Sequence, residues 1–205
     1  MNQGRRLEEE RKKKMKIEQY VMAYGVEHDR LRAILPDGFI SPRPVLRINA
    51  EIREEKEGYA EFNIAVEKDG KTGWLNISCW NDIKFKKSGR ITVFENENLN
   101  IAFTGVGIEG SCPAEKGSAG CYFIKGGEIE LVPPETITGK KEFCDCNFEW
   151  RLENGGARGA SAGKTFPAVP AEVKNVYPKQ EFSLKNAAVI PCEKVLGSYK
   201  VEFMR

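Results

Sequence analysis

Within Phe143–Leu152, the residues Cys144, Cys146, Phe148, Trp150 and Leu152 alternate with Asp145, Asn147, Glu149 and Arg151. A period of two is the pattern of a strand with one buried face, and a helix would scatter that set around its axis. The same alternation recurs along the chain. Leu46, Ile48, Ala50 and Ile52 follow Pro42 and Pro44, and Phe62, Ile64 and Val66 share one face of Tyr59–Val66. Tyr59, Glu61 and Asn63 are left on the other face. Trp74–Phe85, Arg90–Phe94 and Leu99–Val106 continue the pattern, with Lys86-Lys87-Ser88-Gly89 as a turn. Tyr122–Ile124 and Glu128–Val132 read as a hairpin about Lys125-Gly126-Gly127, stopped by Pro133-Pro134. With Tyr20–Tyr24, Phe182–Ile190 and Val195–Phe203, about ten strands are expected, and a sheet that large closes or sandwiches to protect its edges. The fold class predicted is β-dominated α+β, a closed or partly closed barrel with one or two peripheral helices.

One helix is expected at Glu27–Pro36, where Leu31, Ile34 and Leu35 fall at helical spacing and Pro36 ends the turn. Residues 4–19 carry Glu8–Lys12 and Glu9–Lys13 at i,i+4 spacing and read as a charged helix or arm. The expected organisation is therefore an arm over 1–19 and a single domain over 20–205.

Charge and cysteine usage narrow the function. Thirty-two basic and 30 acidic residues leave a net charge of +2, so no global footprint for nucleic acid exists. No apolar run approaches the roughly 20 residues of a membrane span. The charged N-terminal stretch has no apolar segment of a secretory signal, so cytoplasmic residence with six reduced cysteines is the expectation. The single histidine, His28, cannot build a His-rich metal centre in one chain, and neither metal nor cofactor is expected. Cys144-Asp145-Cys146 lacks metal-ligand spacing and reads as core. Arg158–Thr165 (RGASAGKT) resembles a phosphate loop but has Arg158 where the first glycine belongs, and Phe166-Pro167 follows where a helix should start. A Gly/Ala-rich loop is the better reading.

Gly107–Cys121 (GIEGSCPAEKGSAGC) sets Lys116 in a loop of small residues between two strands. An amine held there away from water would lose its proton readily and could condense with a carbonyl. The bland alternative is a solvated surface lysine. Cys112 is a second nucleophile in the loop, though no partner base can be named.

The residues Asp29-Arg30-Leu31-Arg32, Leu35-Pro36 and Pro44-Val45-Leu46-Arg47, followed late in the chain by Ser183-Leu184-Lys185-Asn186-Ala187-Ala188 and Val195–Phe203, resemble the acetoacetate decarboxylase family. The resemblance implies a β-barrel-like domain with a central pocket. It also implies an active site built from Gly-x-Glu and a Pro-Lys-Lys element, the first lysine forming a Schiff base and the second keeping that amine neutral by repulsion. Gly107-Ile108-Glu109 matches the first element. An ungapped alignment then sets Glu115 at the Schiff-base position and Lys116 at the second, and no gap yields adjacent lysines. Glu115 beside Lys116 would tend to raise the amine's pKa, opposing burial. Tyr59-Ala60-Glu61 matches the family's Tyr-x-Glu strand, implying a pocket carboxylate; a solvent-facing glutamate is the alternative. The family's pocket arginine aligns with Ile17, next to Lys16.

On this basis the expected function is a Schiff-base lyase acting on a small keto acid. Lys116 is the nucleophile, Glu61 the proton donor and Glu109 the residue that orients the loop, with Tyr59, Cys112 and Glu115 against the substrate. The alternatives are a barrel that binds a small molecule without covalent chemistry, and hydration or isomerisation in the same pocket. A homo-oligomer is expected from the unpartnered N-terminal arm.

Overall fold

The computed structural model describes residues 14–110, 117–153, 155–161 and 176–205. Among them run β1 (Lys16–Gly25), α1 (His28–Ile34), β2 (Val45–Arg53), β3 (Glu57–Lys68), β4 (Lys71–Trp80), β5 (Lys84–Ser88), β6 (Ile91–Glu95) and β7 (Leu99–Glu109). After these come β8 (Cys121–Lys125), β9 (Glu128–Val132), β10 (Lys141–Trp150), β11 (Arg158–Ala160), α2 (Leu184–Ala188) and β12 (Lys194–Met204). The strands form one sheet in the order β5-β6-β7-β10-β12-β1-β2-β3-β4-β8-β9, with β11 beside β10. Pairing is antiparallel except between β4 and β8.

The alternation of β1 shows how the sheet is packed. Tyr20, Met22 and Tyr24 enter a large apolar cluster on one face, and Ile17, Val21 and Ala23 a smaller one on the other. The large cluster spans strands distant in the sheet order. Phe62 of β3 lies 4.5 Å from Trp150 of β10, and Tyr20 of β1 lies 5.2 Å from Phe103 of β7, measured between ring centroids. Contacts of that kind require the sheet to curl around its own inner face, as its natural twist favours. The path does not close, and β5 and β9 remain its edges. The β-dominated class with two small helices is as expected, and the barrel is open.

Several elements differ from expectation for local reasons. Residues 16–19 are strand, not helix or arm, because Glu18 has its own partners: it accepts from Lys87 Nζ at 2.6 Å and from the Tyr20 hydroxyl. Residues 1–13, with the ion-pair spacings of the predicted helix, lie outside the described residues. Trp74–Phe85 is two strands, bent at Asn81 and Asp82. Lys86 and Lys87 belong to β5, and the turn is Gly89-Arg90, closed by the Ser88↔Ile91 pair. Phe182–Ile190, expected as strand, contains α2, whose start is capped by Ser183 Oγ accepting the Asn186 N–H at 3.3 Å. Arg158 opens β11, so the would-be phosphate loop begins as strand.

Candidate active site

The site begins with β2, which is buried along nearly its whole length. Leu46, Ile48, Ala50 and Ile52 enter the large apolar cluster, so Arg47, Asn49, Glu51 and Arg53 necessarily project from the opposite face. Antiparallel register sets β3 residues beside them: Asn63 opposite Arg47, Glu61 opposite Asn49, and Tyr59 opposite Glu51. On the other flank Val21 stands opposite Asn49 and Gln19 opposite Glu51. This polar grid floors a cavity of about 570 Å³. Trp74, Cys121, Phe123 and Val132 contribute walls from the β4–β8–β9 side, and Lys141 and Arg205 line it as well.

The buried charges are organised around Glu51. It accepts from Arg205 Nη2 at 2.8 Å and Nη1 at 3.1 Å, from Arg53 Nε at 2.9 Å and from Gln19 at 3.4 Å. Burial alone would raise this carboxyl's pKa, but the two arginines reverse that and hold it below the usual value. Arg205 also pairs with Glu135. The Arg53 guanidinium lies 3.8 Å from the Tyr59 ring centroid. The Arg47 guanidinium, in turn, lies 4.1 Å from the Trp74 ring.

Glu61 has a different environment. Its carboxylate accepts from the Tyr59 hydroxyl at 2.8 Å and from Asn63 Nδ2 at 3.1 Å, both neutral donors. Asn63 is oriented by Asn76, which donates to its Oδ1 at 3.0 Å. Burial, then the charge of Glu61, raises the Tyr59 pKa, so its proton stays available to the carboxylate. Cys121 is pushed up to about 12 by burial and by Glu61, so its thiol is protonated at neutral pH. Two buried atoms in the cavity walls, Asn49 Oδ1 and Trp74 Nε1, have no hydrogen-bond partner among the described residues.

Of the residues singled out in the sequence, Glu61 lines the cavity and Tyr59 touches it through Glu61. Glu109 does not line it. That residue is exposed at the end of β7 and pairs with Lys140 at 3.5 Å. Lys116, Cys112 and Glu115 lie outside the described residues. Gly117, bonded to Lys116, is part of the cavity wall. Sequence reasoning missed Asn49, Glu51, Arg53, Trp74 and Arg205. The available signal was β2 itself, whose charged residues alternate with a fully apolar stripe in a strand flanked on both sides. A second cleft of about 510 Å³, lined by Trp80, Asp82, Glu95 and Glu97 among others, lies elsewhere. Its polar residues are exposed or half-buried, whereas Gln19, Arg47, Asn49 and Glu51 of the β2–β3 cavity are buried.

No protein-family model matches the sequence, and no curated protein matches it either. Solved structures do match. An acetoacetate decarboxylase from Legionella pneumophila superposes with a TM-score of 0.59 at 11% identity, over 93% of this chain and 84% of that one. The enduracididine biosynthesis enzyme MppR, complexed with pyruvate, gives 0.53 at 10% identity over 93% and 86%. Another acetoacetate decarboxylase structure gives 0.51 at 11% identity over 92% and 84%. Agreement over nearly the whole chain at so low an identity is a likeness of backbone rather than of side chains, and on it this chain has the acetoacetate decarboxylase-like fold.

Proposed function

We propose that the β2–β3 cavity binds a small keto acid and that Lys116 forms a Schiff base with it. The observation that carries the reading is that the cavity wall reaches Gly117, the residue bonded to Lys116, while its floor holds Glu61 between two neutral donors. The fold shared with acetoacetate decarboxylases supports it, as does the pyruvate complex of MppR, pyruvate being itself a keto acid.

In this reading the Lys116 amine adds to the ketone and water leaves, giving a protonated imine. The bond to the substrate carboxylate then breaks, its electron pair moves into the imine nitrogen, and carbon dioxide departs. Glu61, or a water held on it, returns a proton to the enamine carbon. Hydrolysis of the imine frees the ketone and the amine. Cys112 and Glu115 contact the substrate from the Lys116 segment, and Glu109, tied to Lys140, anchors the start of that segment at the end of β7. The test is borohydride trapping with acetoacetate followed by peptide mass mapping. A reduced adduct on the Lys116 peptide, absent in Lys116→Ala, is expected. No adduct overturns the imine.

One observation favours a second reading, a binding barrel without covalent chemistry. Arg53 and Arg205 are both engaged by Glu51, so neither is at liberty to sit beside the amine and lower its pKa. That reading predicts saturable keto-acid binding that Lys116→Ala leaves unchanged.

A further inference from the structure

The two strands that end the sheet carry opposite charge. Among the described residues β5 pairs only with β6, and β9 only with β8, so each offers a rail of backbone N–H and C=O groups to a further strand. In β5 only Phe85 is shielded, packed against the large apolar cluster, and Lys84 and Lys86 therefore project from the outer face. In β9 Leu131 plays the same part, and Glu128 and Glu130 share the outer face. Ile129 lies on the Leu131 side and is 41% exposed, an apolar side chain at a free edge. Pairs within the chain leave these charges largely uncommitted. Lys86 pairs with Glu95 and Glu130 with Lys125 at the surface, where such pairs are weak. Lys84 and Glu128 form no ion pair among the described residues.

Lysines on an edge strand ordinarily keep other chains away. Here the basic edge has an acidic counterpart on the same molecule, so two like edges repel and two unlike edges attract. One register satisfies both faces of such a pairing. With Phe85 of one copy opposite Ile129 of another, the outer face sets Lys84 and Lys86 beside Glu128 and Glu130, their Cβ atoms about 5 Å apart. Reversing the strand direction only exchanges which lysine meets which glutamate, and Phe85 still covers the exposed Ile129 on the inner face. We infer that this chain assembles head to tail, the β5 edge of one copy adding to the β9 edge of the next. Contact between unlike surfaces gives a ring where the rotation closes and a filament where it does not. The added strand lies against the hairpin that walls the cavity and that β4 holds through two pairs, so a second copy completes the support of that wall. The inference stands on the two edges alone and goes beyond the keto-acid reading.

Sedimentation velocity on the full chain across a concentration series should show species of two copies or more. Lys84→Glu with Lys86→Glu makes both edges acidic, and Glu128→Lys with Glu130→Lys makes both basic, so each double variant alone should sediment as a single copy. Mixing the two variants in equal amounts should restore assembly, since every acidic edge again has a basic one to meet. A chain that stays monomeric throughout, assembly that survives either double substitution, or a mixture that stays monomeric overturns the proposal. Assembly that survives would assign the contact to another surface, such as the charged stretch over 1–13. A second measurement needs no variant. Carbodiimide, which joins a lysine directly to a carboxylate, is applied to an equal mixture of isotope-labelled and unlabelled chains. Mixed-isotope peptides joining 84–86 to 128–130 are expected, and their absence overturns the proposal even where a variant fails to fold.

Discussion

Glu51 is 2% exposed yet ionised, because Arg205 grips both of its oxygens and Arg53 one of them. Its folded pKa is depressed, so the stability it contributes is present above the unfolded value, about 4.3 for glutamate, and is lost as pH falls through the folded one. Denaturant unfolding followed from pH 7 to pH 3 should therefore show stability falling below about pH 4.3, and Glu51→Gln should flatten that fall. Arg205→Ala leaves Arg53 in place and should cost about 2 kcal/mol, less than the roughly 3–5 kcal/mol of a fully unpaired buried charge. At this scale the sequence was only partly legible. Glu61 could be placed on the face away from Phe62, Ile64 and Val66, since alternation dictates it. Glu51 could be set opposite the apolar stripe of β2, but its burial as a charge could not be read, because its partner Arg205 lies 154 positions away.

Strands that alternate cleanly were read correctly, β10 and the β8–β9 hairpin above all. There the apolar face and the glycine turn each specify the same structure. Misreadings fell where local chemistry outweighed pattern. Ser183 supplies an N-cap and α2 forms in a stretch that looked extended, while the Glu18–Lys87 pair lets a charged segment serve as strand. Gly120 shows how narrowly an element can be specified. Its φ is +136°, and a Cβ there would stand 2.0 Å from the Val132 carbonyl oxygen, so neither strand of the hairpin could keep its place. Gly120→Ala should destabilise the chain by about 3 kcal/mol, high in the range for single substitutions. Gly126, with φ +58° and no atom within 4 Å of the added Cβ, should tolerate alanine at about 1 kcal/mol. Thermal melts of the two variants provide the comparison.

Across the whole molecule, most strands and their succession along the chain were visible in the sequence, while their order in the sheet and the curl that brings β3 against β10 were not. That curl arises from contacts such as Phe62–Trp150 and Trp80–Trp150 between residues far apart in the chain, which no local periodicity encodes. The resulting attachment is uneven. β1 is matched with β12 through ten pairs, broken once where the register shifts between Ala23 and Tyr24, whereas β8 meets β4 through two, Trp74↔Cys121 and Leu75↔Tyr122. The hairpin that walls the cavity is thus the most loosely sewn part of the sheet, and local opening should begin there. Amide hydrogen exchange across 121–132 should be faster than across β1 and β2, and slowed by an occupant. An occupant would then leave at the pace of that opening, giving a residence time governed by two strand pairings rather than by the strength of the contacts it makes.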